Sequence, residues 1–525
     1  MLDLGTTFLQ SVERSPHALA LVDDSVRLTY AQWNDQVARA ATGLTRLGLA
    51  RGDRLLSVLQ NRHEAATLHW ACQFIGVVMV PLNWRAKPEE IDYCIGDAEV
   101  KALVFEAVSE SAVQYSSGAR TLPRIAVGQL DGEDATLSWA TLLNAEPTAL
   151  ESAAEADDVS LMLYTSGTTG RPKGVPRRHR HERAAALAHV AQNLYRRGER
   201  TLGVMPLYHT MGVRSLLAMA LVDGTFVCMP RFDTQGALAL IARENITCLY
   251  LVPTLYHDML VQRQFSGAGE GPGADLASVT KLGFAGAPMH DALLKRLQRA
   301  FEPELFVNHY GSSEVYTVSI DQDAVRKAGS AGRAGLNTRL RIVRLDAQGA
   351  DERMAPNEEG QIIADLRGDE AFEGYWKRPD ANAKALRNGW YYTGDIGYFD
   401  DEGDLYVTGR VDDMIISGGE NISPVDIESV ISLCPGVGEV AVAGLADERW
   451  GQRVVAFVTR SGAKAGLDEQ TLDAHCRSSA LPDFKRPREY VFVAEIPKSP
   501  VGKILRRKLV AGEYEPLGSP DTPAS

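Results

Sequence analysis

Tyr164-Thr165-Ser166-Gly167-Thr168-Thr169-Gly170-Arg171-Pro172-Lys173-Gly174 follows Leu161-Met162-Leu163, a short apolar run that reads as a buried strand. Glycines free a backbone to turn its N–H groups toward a ligand, and the hydroxyls of Ser166, Thr168 and Thr169 add donors. Such a loop suits a polyphosphate. The common P-loop requires Gly-Lys-Ser/Thr after a four-residue gap. Here Lys173 stands between Pro172 and Gly174, which disfavours a P-loop kinase or GTPase. Taken alone, the stretch can also be read as a mobile Gly/Thr surface loop.

Strand and helix patterns alternate on both sides of it. Leu55–Leu59 reads as a strand, 64–75 as an amphipathic helix, 77–82 as a strand, 88–97 as a helix and 102–105 as a strand. After a polar, acidic stretch near 131–158 and the loop, the rhythm resumes with strand 226–229, helix 234–244, strand 248–252 and a helix opened by Pro253. This pattern predicts parallel or mixed sheets flanked by helices. Beyond Trp390 it predicts a β-hairpin, 394–399 and 405–407 about a turn at 400–403. A polar turn at Asp412 marks the expected boundary between residues 1–411 and a final α+β segment, 412–525.

The chain's 525 residues exceed the roughly 250–300 that one hydrophobic core supports. A net charge of −13 argues against general nucleic-acid binding. Locally the sign reverses. Residues 171–183 hold six Lys/Arg against Glu182, and residues 481–510 hold eight against three acids. Such islands suit anionic small ligands, or simply face water. The six cysteines are scattered and sit mostly in apolar contexts, so neither a disulfide scaffold nor a zinc site is indicated. The start lacks a secretory pattern and no apolar run of about 18 residues spans a membrane, so a cytoplasmic location is expected.

Further motifs carry chemistry. Met205-Pro206-Leu207-Tyr208-His209 ends a strand, where an aromatic ring and an imidazole line a pocket. Asn308-His309-Tyr310-Gly311-Ser312-Ser313-Glu314 offers an aromatic face, two hydroxyls and a carboxylate. Tyr392-Thr393-Gly394-Asp395 puts a carboxylate at a strand end, suited to a ribose diol, and Pro500-Val501-Gly502-Lys503 places a lysine after a Gly turn. Each alone reads as turn or surface chemistry. In this order, with Gly409–Asp412, they resemble the motif series of the adenylate-forming superfamily, the acyl- and aryl-CoA synthetases, nonribosomal-peptide adenylation domains and luciferases. The likeness covers nearly the whole chain and extends to 4-chlorobenzoate–CoA ligase and the benzoate–CoA ligases.

The resemblance implies a large N-terminal domain with a β-barrel-like subdomain and a small mobile C-terminal α+β domain. It implies a carboxylate attacking the α-phosphate of ATP with Mg2+, then transfer of the acyl group to coenzyme A. Thr165, Ser166, Gly167, Thr168, Thr169, Gly170 and Lys173 would grip the phosphates, with Ser312 and Ser313 beside them. Tyr310 would stack on adenine, Asp395 would take the ribose hydroxyls and Arg410 would touch ribose or phosphate. Glu314 would hold Mg2+, Lys503 would bridge carboxylate and α-phosphate, and His209 would stand at the catalytic centre. Asp412 matches the hinge. Gly418, Gly419, Trp450, Phe484, Arg486 and Arg488 match positions that meet CoA.

The acyl pocket implied by the same likeness comprises His209, Thr210, Met211, Tyr250, Ala285, His309, Gly311, Tyr316 and Thr317. Bulky Tyr250, His309 and Tyr316 point to a short, flat cavity. Three of its positions, Thr210, His309 and Tyr316, are more polar than in the chlorobenzoate ligase. They either meet a polar atom of the acid or bond one another. A small aromatic or heteroaromatic acid, such as benzoate, a hydroxybenzoate or 2-furoate, is expected, within aromatic catabolism. The alternatives are a medium-chain fatty acyl-CoA synthetase, an enzyme that loads a carrier protein, a luciferase-like oxygenase and a non-catalytic nucleotide binder. Arg177-Arg178-His179-Arg180 departs from the Ser/Thr-His of many relatives, and those cations either hold phosphate or face water. The expected partners are the acid, ATP and CoA, without nucleic acid or a membrane span; the sequence leaves a homodimer open.

Overall fold

The computed structural model describes residues 2–130, 132, 136–148, 150–165, 172–266, 275–289, 291–461, 467–479, 481–498 and 504–517, the side chains of 262–266 and 421 excepted. The chain forms two compact units. The first comprises Met1–Leu340 and Ala364–Tyr391, the second Arg341–Ile363 and Tyr392–Ser525.

The first unit is α/β. One sheet runs in the order Leu137–Ser138, Arg124–Val127, Ala102–Glu106, Arg54–Val58, Val78–Pro81, Val159–Thr165 and Lys173–Arg178. Its strands are parallel except the last, which pairs antiparallel with Val159–Thr165. The acidic stretch before residue 159 therefore does not separate the loop from the first half. The strand entering the loop returns to the same sheet, with Leu161 opposite Met79. In the other sheet, the strands Leu305–Tyr310, Lys281–Ala285, Cys248–Leu251, Arg200–Gly203, Thr225–Cys228 and Leu19–Asp23 lie in parallel order.

Local chemistry explains the helices on these sheets. Asp233 caps Thr234–Glu244 by accepting from the Gly236 N–H, and Asn245 ends it in the left-handed conformation, where Asn is tolerated. Pro88 opens the helix Pro88–Ala98, the first turn being where its missing N–H costs nothing. The helices His179–Gln192 and Thr210–Leu221 pack together, burying Ala185, Ala186, Leu216, Leu217 and Ala218.

Most of a four-strand run and a separate five-stranded sheet lie in the second unit. Leu340–Val343, Gly360–Asp365, Trp390–Phe399 and Leu405–Arg410 pair in that order where the barrel-like subdomain is expected. The other sheet runs Glu420–Ile422, Ile415–Ser417, Gly451–Arg460 and Val437–Asp447, with Glu489–Phe492 parallel to Gly451–Arg460. The helix Pro424–Ile431 and the helix Glu469–Ser478 help close its core through Ile427, Ile431, Leu472 and Cys476. Asp412 lies within this unit, in the 3-10 turn Val411–Asp413. All six cysteines are buried thiols, and no helix among the described residues is long and apolar enough to cross a membrane.

Candidate functional site

The glycine loop hangs from a fixed base. Thr165 and Lys173 face one another in register at the ends of paired strands, and the segment 166–171 between them lies outside the described residues. So the expected phosphate contacts of Ser166, Gly167, Thr168, Thr169 and Gly170 fall there. The base itself is held from three directions. The Tyr164 hydroxyl donates to Asp97 Oδ2 at 2.6 Å, Tyr93 donates to the Pro172 carbonyl at 2.8 Å, and the Trp376 N–H donates to the Gly174 carbonyl at 2.9 Å.

Lys173 reaches toward the Glu314 loop through one ring. Its Nζ lies 4.3 Å from the centroid of Tyr375, a favourable cation–π distance. The Tyr375 hydroxyl donates to Glu314 Oε1 at 2.7 Å. The loop carrying Tyr310, Ser312, Ser313 and Glu314 turns sharply: Ser312 N donates to the Val315 carbonyl at 2.9 Å and Val318 N to the Tyr310 carbonyl at 2.9 Å. Gly311 is required there, because a Cβ would stand 2.1 Å from the Tyr316 carbonyl oxygen. Glu314 is buried, and a single carboxylate of this kind fits Mg2+, which keeps waters and takes phosphate oxygens for its other positions.

Arg177 neither holds phosphate nor faces water. Its side chain is 0% exposed and pairs with an equally buried Glu182 at 2.8 Å. Its Nη1 donates to the carbonyls of Glu370 at 2.7 Å and Glu314 at 3.2 Å, so it staples the strand after the glycine loop to the Glu314 loop. Arg178 and Arg180 both pair with Glu373, at 2.5 and 2.6 Å, and Arg180 also with Asp157 at 2.6 Å. Arg183 donates to Thr7. The basic island is thus largely matched by acids and carbonyls that sequence spacing does not bring near it.

His209 caps the helix Thr210–Leu221, its Nδ1 accepting from Met211 N at 3.4 Å. Asn61, which sequence reading missed, fastens the preceding turn: Nδ2 donates to the Met205 and Gly203 carbonyls at 2.6 and 2.9 Å, and Oδ1 accepts from Leu207 N at 3.0 Å.

The expected acyl-pocket residues Tyr250, Ala285, His309, Tyr316 and Thr317 do converge. Tyr250 is paired with Gly283, and Ala285 with His309, across parallel strands, which puts these side chains on one sheet face. Arg214, the one cation in the apolar helix Thr210–Leu221, fills the centre. It donates to the Tyr250 hydroxyl at 2.5 Å and to Thr317 Oγ1 at 2.7 Å. Tyr316 donates to Glu182 at 3.2 Å, with the Arg177 guanidinium 4.0 Å from its ring centroid. The rings of His189, Tyr250 and His309 pack at 4.8 to 5.2 Å between centroids. So the Tyr250 hydroxyl meets Arg214, and Tyr316, one of the three more polar positions, spends its hydroxyl on Glu182 and not on the other two. Burial, reinforced by Arg214, holds both His189 and His309 well below the usual imidazole range, so both are neutral. Burial raises Glu370 to about 7 despite Arg214 and Arg177 nearby. The signals that sequence reading passed over are a lone Arg in an apolar helix and the seven-residue spacing of Glu182 and His189 on one helix face.

In the second unit, Asp395 and Arg410 stand opposite one another across the hairpin and pair at 2.6 Å. Thr393 holds the bend, donating to the Ile362 carbonyl at 2.8 Å and accepting from Asp395 N at 3.0 Å, while Gly394 takes a φ of 77°. Gly418 also has positive φ, and its N–H donates to the Trp450 carbonyl at 2.9 Å. A Cβ on Gly418 would meet the Trp450 ring at 2.7 Å. Trp450 is 45% and Phe484 44% exposed, an aromatic presentation that ordinary core packing does not produce. The second basic island carries less free charge than its count of +5 suggests. Arg506 pairs with Glu428 and Asp413, Lys485 with Asp426, and the nearly buried Arg486 with Asp473 and Asp483. Lys503 lies outside the described residues.

A model described as AMP-binding enzyme matches residues 8–376, and one described as AMP-binding enzyme C-terminal domain matches 426–503. The chain is 35% identical over 514 residues to the long-chain-fatty-acid–CoA ligase FadD13 of Mycobacterium tuberculosis, covering 97% of this chain and 98% of that one. It is 36% identical over 521 residues to the 4-chlorobenzoate–CoA ligase of Pseudomonas sp. strain CBS-3, covering 95% and 92%. The anthranilate CoA ligase AuaEII, solved with anthranoyl-AMP, superposes with a TM-score of 0.89 at 25% identity over 97% of each chain. A family model spanning 8–376 and whole-length likeness to ligases of one chemistry agree: the chain belongs to the AMP-binding enzyme family and is an acid–CoA ligase.

Proposed function

We propose that this ligase activates a small aromatic or heteroaromatic acid of the benzoate, hydroxybenzoate or 2-furoate type, in aromatic acid catabolism. The observation that carries the reading is the buried wall of His189, Tyr250, His309 and Arg214. Rings packed at 4.8 to 5.2 Å around a guanidinium offer flat, polar-edged surface. A long alkyl chain there would lie against buried polar atoms that it cannot hydrogen-bond, which is costly. The likeness to a 4-chlorobenzoate–CoA ligase and to an anthranilate CoA ligase supports this reading, and the equal likeness to a long-chain ligase is its direct rival.

In the proposed sequence a carboxylate oxygen bonds to the α-phosphorus of ATP and pyrophosphate leaves. The CoA sulfur then bonds to the acyl carbonyl carbon, and AMP and the thiol proton leave. Lys173 and the loop above it hold the departing pyrophosphate. Mg2+, when bound, shields the phosphate charges, and Glu314 holds it. Tyr310 stacks on adenine, Asp395 takes the ribose hydroxyls and Arg410 steadies them. Lys503 serves the reacting centre in the first step only. Asp412 is the hinge, and Gly418, Gly419, Trp450, Phe484, Arg486 and Arg488 receive CoA.

Lys503→Ala tests this division. Adenylate formation, read as pyrophosphate release without CoA, falls by about 10²–10³ or more, as for loss of one preorganised donor. Thioester formation from supplied acyl-adenylate persists. Equal loss of both half-reactions contradicts the assignment.

A further inference from the structure

The hydrogen-bond senses along the buried wall are decided by one amide. Asn193, just past the helix His179–Gln192, has its Nδ2 2.8 Å from the His189 carbonyl oxygen and 3.0 Å from His189 Nδ1. A carbonyl oxygen only accepts, so the amide atom beside it is the NH2, and its two protons go to that carbonyl and to Nδ1. The amide oxygen then faces the other way, 3.1 Å from His309 Nε2. An oxygen cannot donate there, so His309 carries its proton on Nε2. His309 is neutral, being buried beside Arg214, which leaves Nδ1 as a bare acceptor. By the same logic His189 accepts on Nδ1 and carries its proton on Nε2.

Both ends of this relay stop short. His309 Nδ1 and His189 Nε2 are fully shielded from water and have no hydrogen-bond partner. One is an acceptor and the other a donor, on rings 5.2 Å apart. Gly283 on the strand between Tyr250 and His309 leaves the space the Asn193 amide occupies: a Cβ there would stand 3.1 Å from the Tyr250 ring and 3.4 Å from Asn193 Oδ1. Tyr250 does not close the gap: its oxygen receives Arg214 Nη2 at 2.5 Å, and neither ring nitrogen has it as a partner. An unmatched buried acceptor costs about 1–3 kcal/mol, a penalty that a bound ligand can remove.

We propose that Asn193 and His189 are positioning residues that hold His309 Nδ1 as an acceptor, and that the ring of the acid carries a hydrogen-bond donor, a hydroxyl or an amino group, which that nitrogen receives. This rests on the aromatic reading above and sharpens it. Halogen or methyl substituents fill space on the wall without matching Nδ1.

The test compares kcat/KM, with ATP and CoA, for benzoate and its ortho, meta and para hydroxy-, amino- and fluoro-derivatives. At one ring position the hydroxy or amino acid exceeds its fluoro counterpart by about 10- to 100-fold, the span expected when a buried acceptor is matched or left bare. In Asn193→Ala and His309→Met that ratio, taken within each variant, shrinks by about 10-fold or more. In the wild-type enzyme, labelled with 15N at histidine, the shifts of His309 and His189 report both protons on Nε2. Equal rates for hydroxy, amino and fluoro acids at every position, or a proton on Nδ1 of His309, overturn the proposal, and neither result needs a variant that folds. Slow turnover of every ring acid beside rapid turnover of octanoate instead overturns the aromatic reading itself.

Discussion

Two arginine–carboxylate pairs lie near the nucleotide motifs, and they differ in what surrounds them. Arg177 and Glu182 are 0% exposed on both sides, in the first unit. Asp395 and Arg410, in the second, keep 14% and 35% of their side chains open. A sealed pair cannot change partners without leaving a bare charge in the interior, so it works as a rivet. A part-open pair can trade its contact for a ligand's hydroxyls or phosphate at small cost. The sequence neighbours of both pairs look equally functional. Burial separates the residue that rivets the scaffold from the pair proposed to meet the nucleotide.

Three changes put weight on that difference. Arg177→Ala strands Glu182 and frees three carbonyls, and it lowers stability by about 3–5 kcal/mol, read by denaturant unfolding. A loss below about 1 kcal/mol would show that Arg177 is no rivet. Glu370 is next. A carboxyl raised to about 7 binds its proton more tightly folded than unfolded, so its contribution is present below the ordinary value of 4.5 and is lost as pH rises through 7. Relative to wild type, Glu370→Gln therefore gains stability as pH climbs from 4.5 to about 7, in unfolding curves taken at each pH. A difference independent of pH contradicts the raised value. Buried His69 and His181, held at about 3, and His179, at about 4, act in the opposite sense, weakening the fold of both proteins alike as pH drops below 6.5. Asp395→Ala has the smallest effect on stability, about 1 kcal/mol or less, yet it raises the KM for ATP. Stability loss without any change in that KM would make Asp395 a second rivet.

Much of the scaffold was legible because its signals are local. The helix Thr234–Glu244 matches its predicted span, with Asp233 and Asn245 as caps, and strand 248–251 and the hairpin to 410 follow from apolar runs and turn residues. The Thr165–Lys173 base and the Glu314 loop were found because glycine spacing carries them. Charge was read less well. Arg178 and Arg180 looked like free cations, but Glu373, almost two hundred positions away, pairs with both, and Asp157 pairs with Arg180. The wall around Arg214 was only half seen. Tyr250, His309 and Tyr316 came from a resemblance, whereas His189, Asn193 and Glu182 sit on a helix whose inward face only the packed structure identifies.

The wall's choice of acid is the central claim, and direct competition tests it. Equimolar 2-furoate, 4-hydroxybenzoate and octanoate are offered together with ATP, Mg2+ and limiting CoA, and the thioesters are separated by mass. Aryl thioesters are expected to make up nearly all of the CoA consumed. Octanoyl-CoA as the main product would contradict it.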